Sequence, residues 1–325
     1  MSLFRKPGGK KTGLKILVIG KTGTGKTLFS LTAPQSAILD SETGAHLYEE
    51  TPEGKNLVLV ANTQSYEELE EALLEILDNH ESLGIKSVII DSETKFHNDL
   101  TQAVMSIEEK KAISKGKDPL DSQLSIRSYG IIGRKAENLQ NLKIDVSAAG
   151  VNVISVAQEA DITKFDMKSG TSEVVGTKPK MKKEAEFDYD IVITLFAEGK
   201  GEDTKYFARI DKDRSKTFKT GQVIENPSFS MWDNTLKSMK GKEVLGTSLT
   251  SNSKKSKEAY EKEVEEEAKT FTQRLAEFIK PLRENDPEKA KEFQTRAVEE
   301  FGVKSFSKLT AKQETQITAL MREFK

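Results

Sequence analysis

The chain has 325 residues, 50 of them Lys or Arg and 52 Asp or Glu, for a formal net charge of −2, and it contains no cysteine. That length suits one sizeable domain or a domain with a smaller module, while the lack of cysteine removes disulfide frameworks, thiolate metal sites and cysteine nucleophiles. No apolar run reaches the roughly 18 to 20 residues of a membrane span, and the scattered His46, His80 and His97 have no ligand-like spacing.

Residues 1–13, MSLFRKPGGKKTG, are basic and lack the apolar stretch of a secretory signal. They read as a flexible arm on a cytoplasmic protein with no membrane association. Residues 14–240 carry the runs KILVIG, SAILD, NLVLVA, SVIID, VNVISVA and DIVITLF. These are nearly continuous in hydrophobicity, as parallel strands covered on both faces must be. Helical stretches separate them: SYEELEEALLEILDNHESLG sets Leu69, Leu73, Leu74 and Leu77 on one face, and RKAENLQNLKIDVSAAG ends at Gly150. Strand alternating with helix predicts a doubly wound α/β domain with a mostly parallel sheet.

After Trp232 the composition turns polar, and residues 241–265 read as a linker. Residues 266–325 predict a small helical module. Phe271, Leu275, Phe278, Ile279 and Leu282 fall at helix spacing. Asp286 with Pro287 opens a second helix that Gly302 closes, and Thr310 with Gln313 forms a capping box for a third.

The chemistry begins at GKTGTGKT, Gly20 to Thr27, which satisfies G-x-x-x-x-G-K-[ST] after a strand and before a helix. Gly20, Lys21, Thr22, Gly23, Thr24 and Gly25 would bring backbone N–H groups to the phosphates, with Lys26, Thr27 and Leu28 starting the helix. Lys26 supplies a positive charge to the β- and γ-phosphates, and the Thr27 hydroxyl ligates Mg²⁺. Asp91, ending the strand SVIID, is the second group expected to hold that ion. Two glutamates compete to orient or deprotonate the attacking water, Glu42 in AILDSETG and Glu93 in IIDSET. Gln158 ends NVISVAQ, a strand expected between the P-loop and Asp91 strands, beside the γ-phosphate. Each residue also has a plainer reading, as a helix cap or a strand-end polar group.

The order of P-loop, ILDSETG, VIIDSET, NVISVAQE and ARIDKDRS resembles the RecA-like recombination ATPases, in particular the short phage-encoded Sak-four-type annealing ATPases, over about residues 14–235. The resemblance implies a RecA-like P-loop fold, ATP and Mg²⁺ as cofactors, Glu42 as the catalytic glutamate and Gln158 as the residue coupling nucleotide state to DNA. It also implies that Lys212 and Arg214 in KDRS act as cations on a neighbouring subunit's nucleotide in a homo-oligomer. Two loops would hold single-stranded DNA. The first, residues 108–130, carries Lys110, Lys111, Lys115, Lys117 and Arg127. The second, residues 159–190, carries Lys164, Phe165, Lys168, Lys178, Lys180, Lys182 and Lys183. Cations there would neutralise phosphates and Phe165 would stack on a base.

The P-loop strand follows a short basic arm, so no N-terminal oligomerisation domain of the full-length-recombinase kind is expected ahead of it; the helical module lies outside the resemblance and is a candidate docking site for a single-strand-binding or replication partner. The expected function is a single-stranded-DNA-binding ATPase in phage recombination, annealing or repair. The alternatives are a helicase loader or AAA+-like remodeller acting on a protein, and a nucleotide-gated annealing protein with little turnover.

Overall fold

The structure is a computed structural model describing residues 7–8, 10–166, 170–239, 243–246, 249, 255, 261, 270–303, 305–306 and 309–324. Residues 1–6 of the expected arm and most of the expected linker lie outside the described residues. The chain divides into two compact units, Met1–Ser251 and Asn252–Lys325.

The first unit runs β1 (Lys10–Lys11), β2 (Lys15–Gly20), α1 (Lys26–Leu31), β3 (Ser36–Asp40), β4 (Leu57–Asn62), α2 (Tyr66–Asn79), β5 (Ser87–Asp91), α3 (Glu93–Ser114), α4 (Ile126–Ala148), β6 (Asn152–Asp166) and β7 (Thr171–Pro179). It continues through β8 (Ile191–Glu198), β9 (Lys205–Asp213), β10 (Val223–Glu225), α5 (Asp233–Ser238) and β11 (Glu243–Val244). The main sheet has the order β10-β9-β8-β2-β6-β5-β3-β4. From β8 to β4 every pairing is parallel, and β9 and β10 extend the sheet antiparallel. This is a doubly wound, mostly parallel α/β sheet, with β6 between the P-loop strand and the Asp91 strand.

Burial explains the near-continuous apolar strands except β4, the edge strand, where Val58 and Leu59 are exposed rather than covered as expected. One face packs Ile16, Val18 and Ile193 against Phe29 of α1 and Trp232. The other packs Leu39, Val88, Ile90 and Val153 under α2, α3 and α4. Trp232 is fully buried, its ring edge-on to Phe29 at 6.3 Å and its Nε1 donating to Asp213 at 3.2 Å. Register then does the functional work. Gly20 pairs with Gln158, and Asp91 with both Asp40 and Val156, so the polar strand ends gather at the carboxyl edge of the sheet. Open α/β sheets bind ligands at that edge.

Two expected loops differ. The first is confined to residues 115–125, because α3 continues to Ser114 and Ser125 caps α4 by accepting from the Ser128 N–H at 3.1 Å. The second is largely a ribbon: β6 leaves the sheet after Gln158 and pairs antiparallel with β7 from Glu159↔Pro179 to Asp166↔Thr171.

The second unit holds α6 (Phe271–Asn285), α7 (Pro287–Phe301) and α8 (Ala311–Glu323). Capping boxes form at Thr270/Gln273 and Thr310/Gln313, Asp286 accepts from the Lys289 N–H at 3.1 Å, and Gly302 closes α7 at φ 65°. Leu275, Phe293, Ala297, Ile317 and Leu320 make its core.

Candidate nucleotide site

The P-loop leaves β2 and turns into α1 through Gly25, whose φ of +84° is a left-handed backbone that a side chain would strain. Thr24 Oγ1 donates to the Lys21 carbonyl at 2.8 Å, and Lys26 Nζ donates to the same oxygen at 2.6 Å, folding the ammonium back over the loop. Burial lowers the Lys26 pKa, against the pull of the Asp91, Glu42 and Glu159 carboxylates. Thr22, Gly23, Gly25, Lys26, Thr27 and Leu28 form one wall of a cleft of about 330 Å³; Glu42, Asp91, Ser92 and Gln158 form another.

Across the cleft Thr27 Oγ1 donates to Asp91 Oδ2 at 2.7 Å. Desolvation chiefly, with help from the nearby Asp40 and Glu42 charges, pushes the Asp91 carboxyl up to about 6, against the Thr27 hydrogen bond and Lys26. A hydroxyl and a carboxylate that is costly to ionise alone are the hard oxygen donors that Mg²⁺ takes. That ion needs only one or two protein oxygens when phosphates and waters complete its shell. The described residues hold no cluster of three or more acidic or histidine side chains suited to a metal, and this coordination habit requires none. The residues therefore fit Mg²⁺ bound with a nucleotide.

Glu42 lies at the end of β3, in a turn built by Asp40, which accepts from the Glu42 N–H at 2.9 Å and the Ala45 N–H at 2.7 Å. Its Oε1 accepts from Gln158 Nε2 at 3.3 Å and, at 3.4 Å, from Ser92 Oγ. Ser41 laces β3 to β5, its Oγ donating to the Asp91 carbonyl and accepting from Ser92 N–H; the Asp91–Ser92 peptide bond is cis. The competing Glu93 is elsewhere. It is 2% exposed and salt-bridged to Lys143 at 2.8 Å, and the hydroxyl of Tyr189 donates to it at 3.0 Å. Burial opposes its charge, but Lys143 and these hydrogen bonds win and hold its carboxyl below the usual range. Glu93 does not line the cleft.

Two aromatic residues line the cleft that sequence reasoning missed. Tyr48 follows β3, and Tyr206 of β9 lies against Gly25, 3.4 Å from where a Cβ would stand there. Neither sits in a motif; Tyr206 arrives only because β8 brings β9 beside the P-loop strand.

Lys212 and Arg214 are at the opposite end of the strands, since β9 runs antiparallel and Lys212 pairs with Val192 at the start of β8. Lys212 Nζ donates to the carbonyls of Glu186 and Phe187 at 2.9 and 3.0 Å, and Arg214 to that of Phe187 at 2.9 Å. Among the DNA-binding candidates, Lys115 and Lys117 are exposed at the end of α3 and Arg127 in the first turn of α4. Lys164 and the exposed Phe165 are consecutive on β6 and so face opposite sides of the ribbon. Lys180 is exposed just beyond β7, Lys182 is salt-bridged to Glu137 of α4, and Lys183 pairs with Glu184 at 3.6 Å. Lys168 lies outside the described residues.

The model of a family described as an AAA domain matches residues 12–228. No curated protein matches the chain. Among solved structures, a RadB recombinase is similar at 14% identity and TM-score 0.41, over 67% of this chain and 88% of that one. A KaiC-like protein from Pyrococcus horikoshii gives 15% and 0.38, over 67% and 86%. The flagellar accessory protein FlaH from Methanocaldococcus jannaschii gives 13% and 0.35, over 67% and 87%.

Proposed function

We propose, from the premise that the chain belongs to the AAA domain family, that it is a Mg²⁺-dependent ATPase whose turnover is coupled to single-stranded DNA. The observation that carries this reading is one hydrogen bond. Glu42, the group suited to orient water, accepts from Gln158, and Gln158 is the last residue of β6 before the ribbon begins.

In this reading Gly20–Leu28 wrap the phosphates, and Lys26 exchanges the Lys21 carbonyl for phosphate oxygens. Thr27 and Asp91 would hold Mg²⁺, which when bound supplies neutralisation of phosphoryl charge. Glu42 orients and accepts a proton from the attacking water. Tyr206 and Tyr48 are the aromatic surfaces available to a nucleobase. Loss of the γ-phosphate alters the Gln158 side chain, and the ribbon moves with it.

Lys26 is the sole cation lining the cleft among the described residues, so charge on the transferring group calls for cations from a second subunit. Lys212 and Arg214 are the proposed pair, exchanging their carbonyl partners for a neighbour's phosphates on assembly. DNA phosphates would meet Lys115, Lys117, Arg127, Lys164, Lys180, Lys182 and Lys183, with Phe165 stacking on a base. The helical unit is proposed to dock a replication partner at a recess lined by Leu275, Ile279, Lys280 and Arg283 of α6 and by Phe306 after α7. A role in phage recombination or annealing accords with the order of the five segments.

ATP turnover with and without a single-stranded oligonucleotide, measured across a salt series, tests the reading. Stimulation that fades as salt rises, and is absent in Lys26→Ala, is expected. Turnover raised only by a protein fraction would favour a loader, and annealing that persists in Lys26→Ala a binding protein.

A further inference from the structure

A buried ion pair is a weak source of stability, because apolar side chains of similar volume would fill the same space without desolvating two charges. Glu93 and Lys143 are nonetheless 2% and 1% exposed. Lys143 Nζ donates to both Glu93 oxygens at 2.8 Å and to the Tyr189 hydroxyl at 2.6 Å; Tyr189 donates to Glu93 Oε2 at 3.0 Å and Gln140 to Oε1 at 3.1 Å.

The partners come from three parts of the fold, and each part leads somewhere. Glu93 begins α3, between Ser92, whose hydroxyl reaches Glu42, and Thr94, whose Oγ1 accepts from the Gln158 N–H at 3.0 Å. Lys143 and Gln140 are on α4, the helix that follows the 115–125 loop. Tyr189 ends the segment returning from the ribbon. That segment is pinned where the Lys180 N–H meets the Gln158 carbonyl at 2.8 Å, and Met181, Ala185 and Tyr189 are buried with Leu17, Ile19 and Ala157. Because the contacts are directional and dry, displacement of any one element strands a buried polar group unless the others follow.

We propose that Glu93, Lys143 and Tyr189 form a positioning junction that links the nucleotide cleft to both candidate strand-binding segments. None of the three touches nucleotide. They keep Ser92, Glu42 and Gln158 in step with the ribbon and with α4. This inference rests on the ATPase reading above.

Hydrogen exchange of the ribbon amides, with ADP or a non-hydrolysable ATP analogue, tests it in the full chain. In the wild type the two nucleotides should give different ribbon exchange. Tyr189→Phe keeps the ring and removes two hydrogen bonds. It should bind nucleotide within about twofold of wild type, with KM for ATP unmoved, yet lose the ribbon difference and the DNA-stimulated part of kcat. Leu139→Ala, a cavity in the same helix α4, controls for lost stability and should keep both responses. A Tyr189→Phe protein that responds as wild type overturns the junction, as does a Leu139→Ala protein that loses the response equally. A wild type that turns over ATP without any ribbon difference overturns it too and leaves the ATPase reading standing. A wild type that binds no ATP removes both.

Discussion

Three carboxylates stand within a few residues of two strand ends, and their surroundings differ in ways that suit three different tasks. Asp91 is half-buried with Asp40 and Glu42 nearby, and its carboxyl is pushed up to about 6. Since the proton and the cation compete for the same oxygens, apparent Mg²⁺ affinity should be flat above about pH 7 and fall about tenfold per unit below pH 6. A Mg²⁺ titration of the nucleotide complex at several pH values checks this, and Asp91→Asn should flatten the slope. Glu42 and Glu93 separate by a second measurement. Glu42→Gln should lower kcat by about 10² to 10⁴ while nucleotide affinity and melting temperature hold. Glu93→Gln leaves Lys143 buried without its counter-charge and should cost about 3–5 kcal/mol in denaturant unfolding. Equal loss of kcat in a fully stable Glu93→Gln would reverse the two roles.

At the scale of elements, what could be read from the chain was whatever burial imposes on it. Strands covered on both faces must be apolar throughout, so β2, β3, β5, β6 and β8 are legible, and the polar residues at the ends of the β3, β5 and β6 runs mark the ligand edge of the sheet; β4 is equally apolar but lies exposed at the edge. The ribbon had no such signature. Ile162, Phe165, Val174 and Val175 are exposed on it, so no core dictated an alternation and residues 159–179 read as loop. Tyr206 was hidden for a different reason: its place beside Gly25 depends on strand order, which local sequence does not carry. Tyr48 is held by a contact equally invisible in sequence. A Cβ at Gly54 would stand 1.9 Å from the Tyr48 carbonyl oxygen. Gly54→Ala must therefore displace the 48–55 segment, with an expected loss of about 1–3 kcal/mol by thermal or denaturant melting. Because Tyr48 lines the cleft, nucleotide affinity should weaken with it. Unchanged stability would mean that the turn at Pro52–Gly54 shifts freely.

At the scale of the molecule, the cleft and the cations proposed to complete it cannot meet within one chain. Lys26 lies at the carboxyl ends of the parallel strands, while Lys212 and Arg214 lie at the start of β8, the full length of a strand away. Assembly is then a condition of turnover, and hydrolysis per chain should rise with protein concentration. A mixing experiment separates this from a simple loss of fold. Lys26→Ala disables a subunit's own cleft and leaves its Lys212 and Arg214 intact; the double variant Lys212→Ala, Arg214→Ala does the reverse. Each alone should bind its neighbours yet turn over at least about 10³-fold more slowly than wild type, the scale on which phosphoryl-transfer cations act. Combined, some interfaces pair the intact cleft of one variant with the intact cations of the other, and activity should return in part. If the double variant by itself keeps wild-type turnover, Lys212 and Arg214 are strand-end charges held by the carbonyls of Glu186 and Phe187. Assembly is then not required to complete the cleft, and Lys26 with the bound Mg²⁺ would have to neutralise the phosphoryl charge.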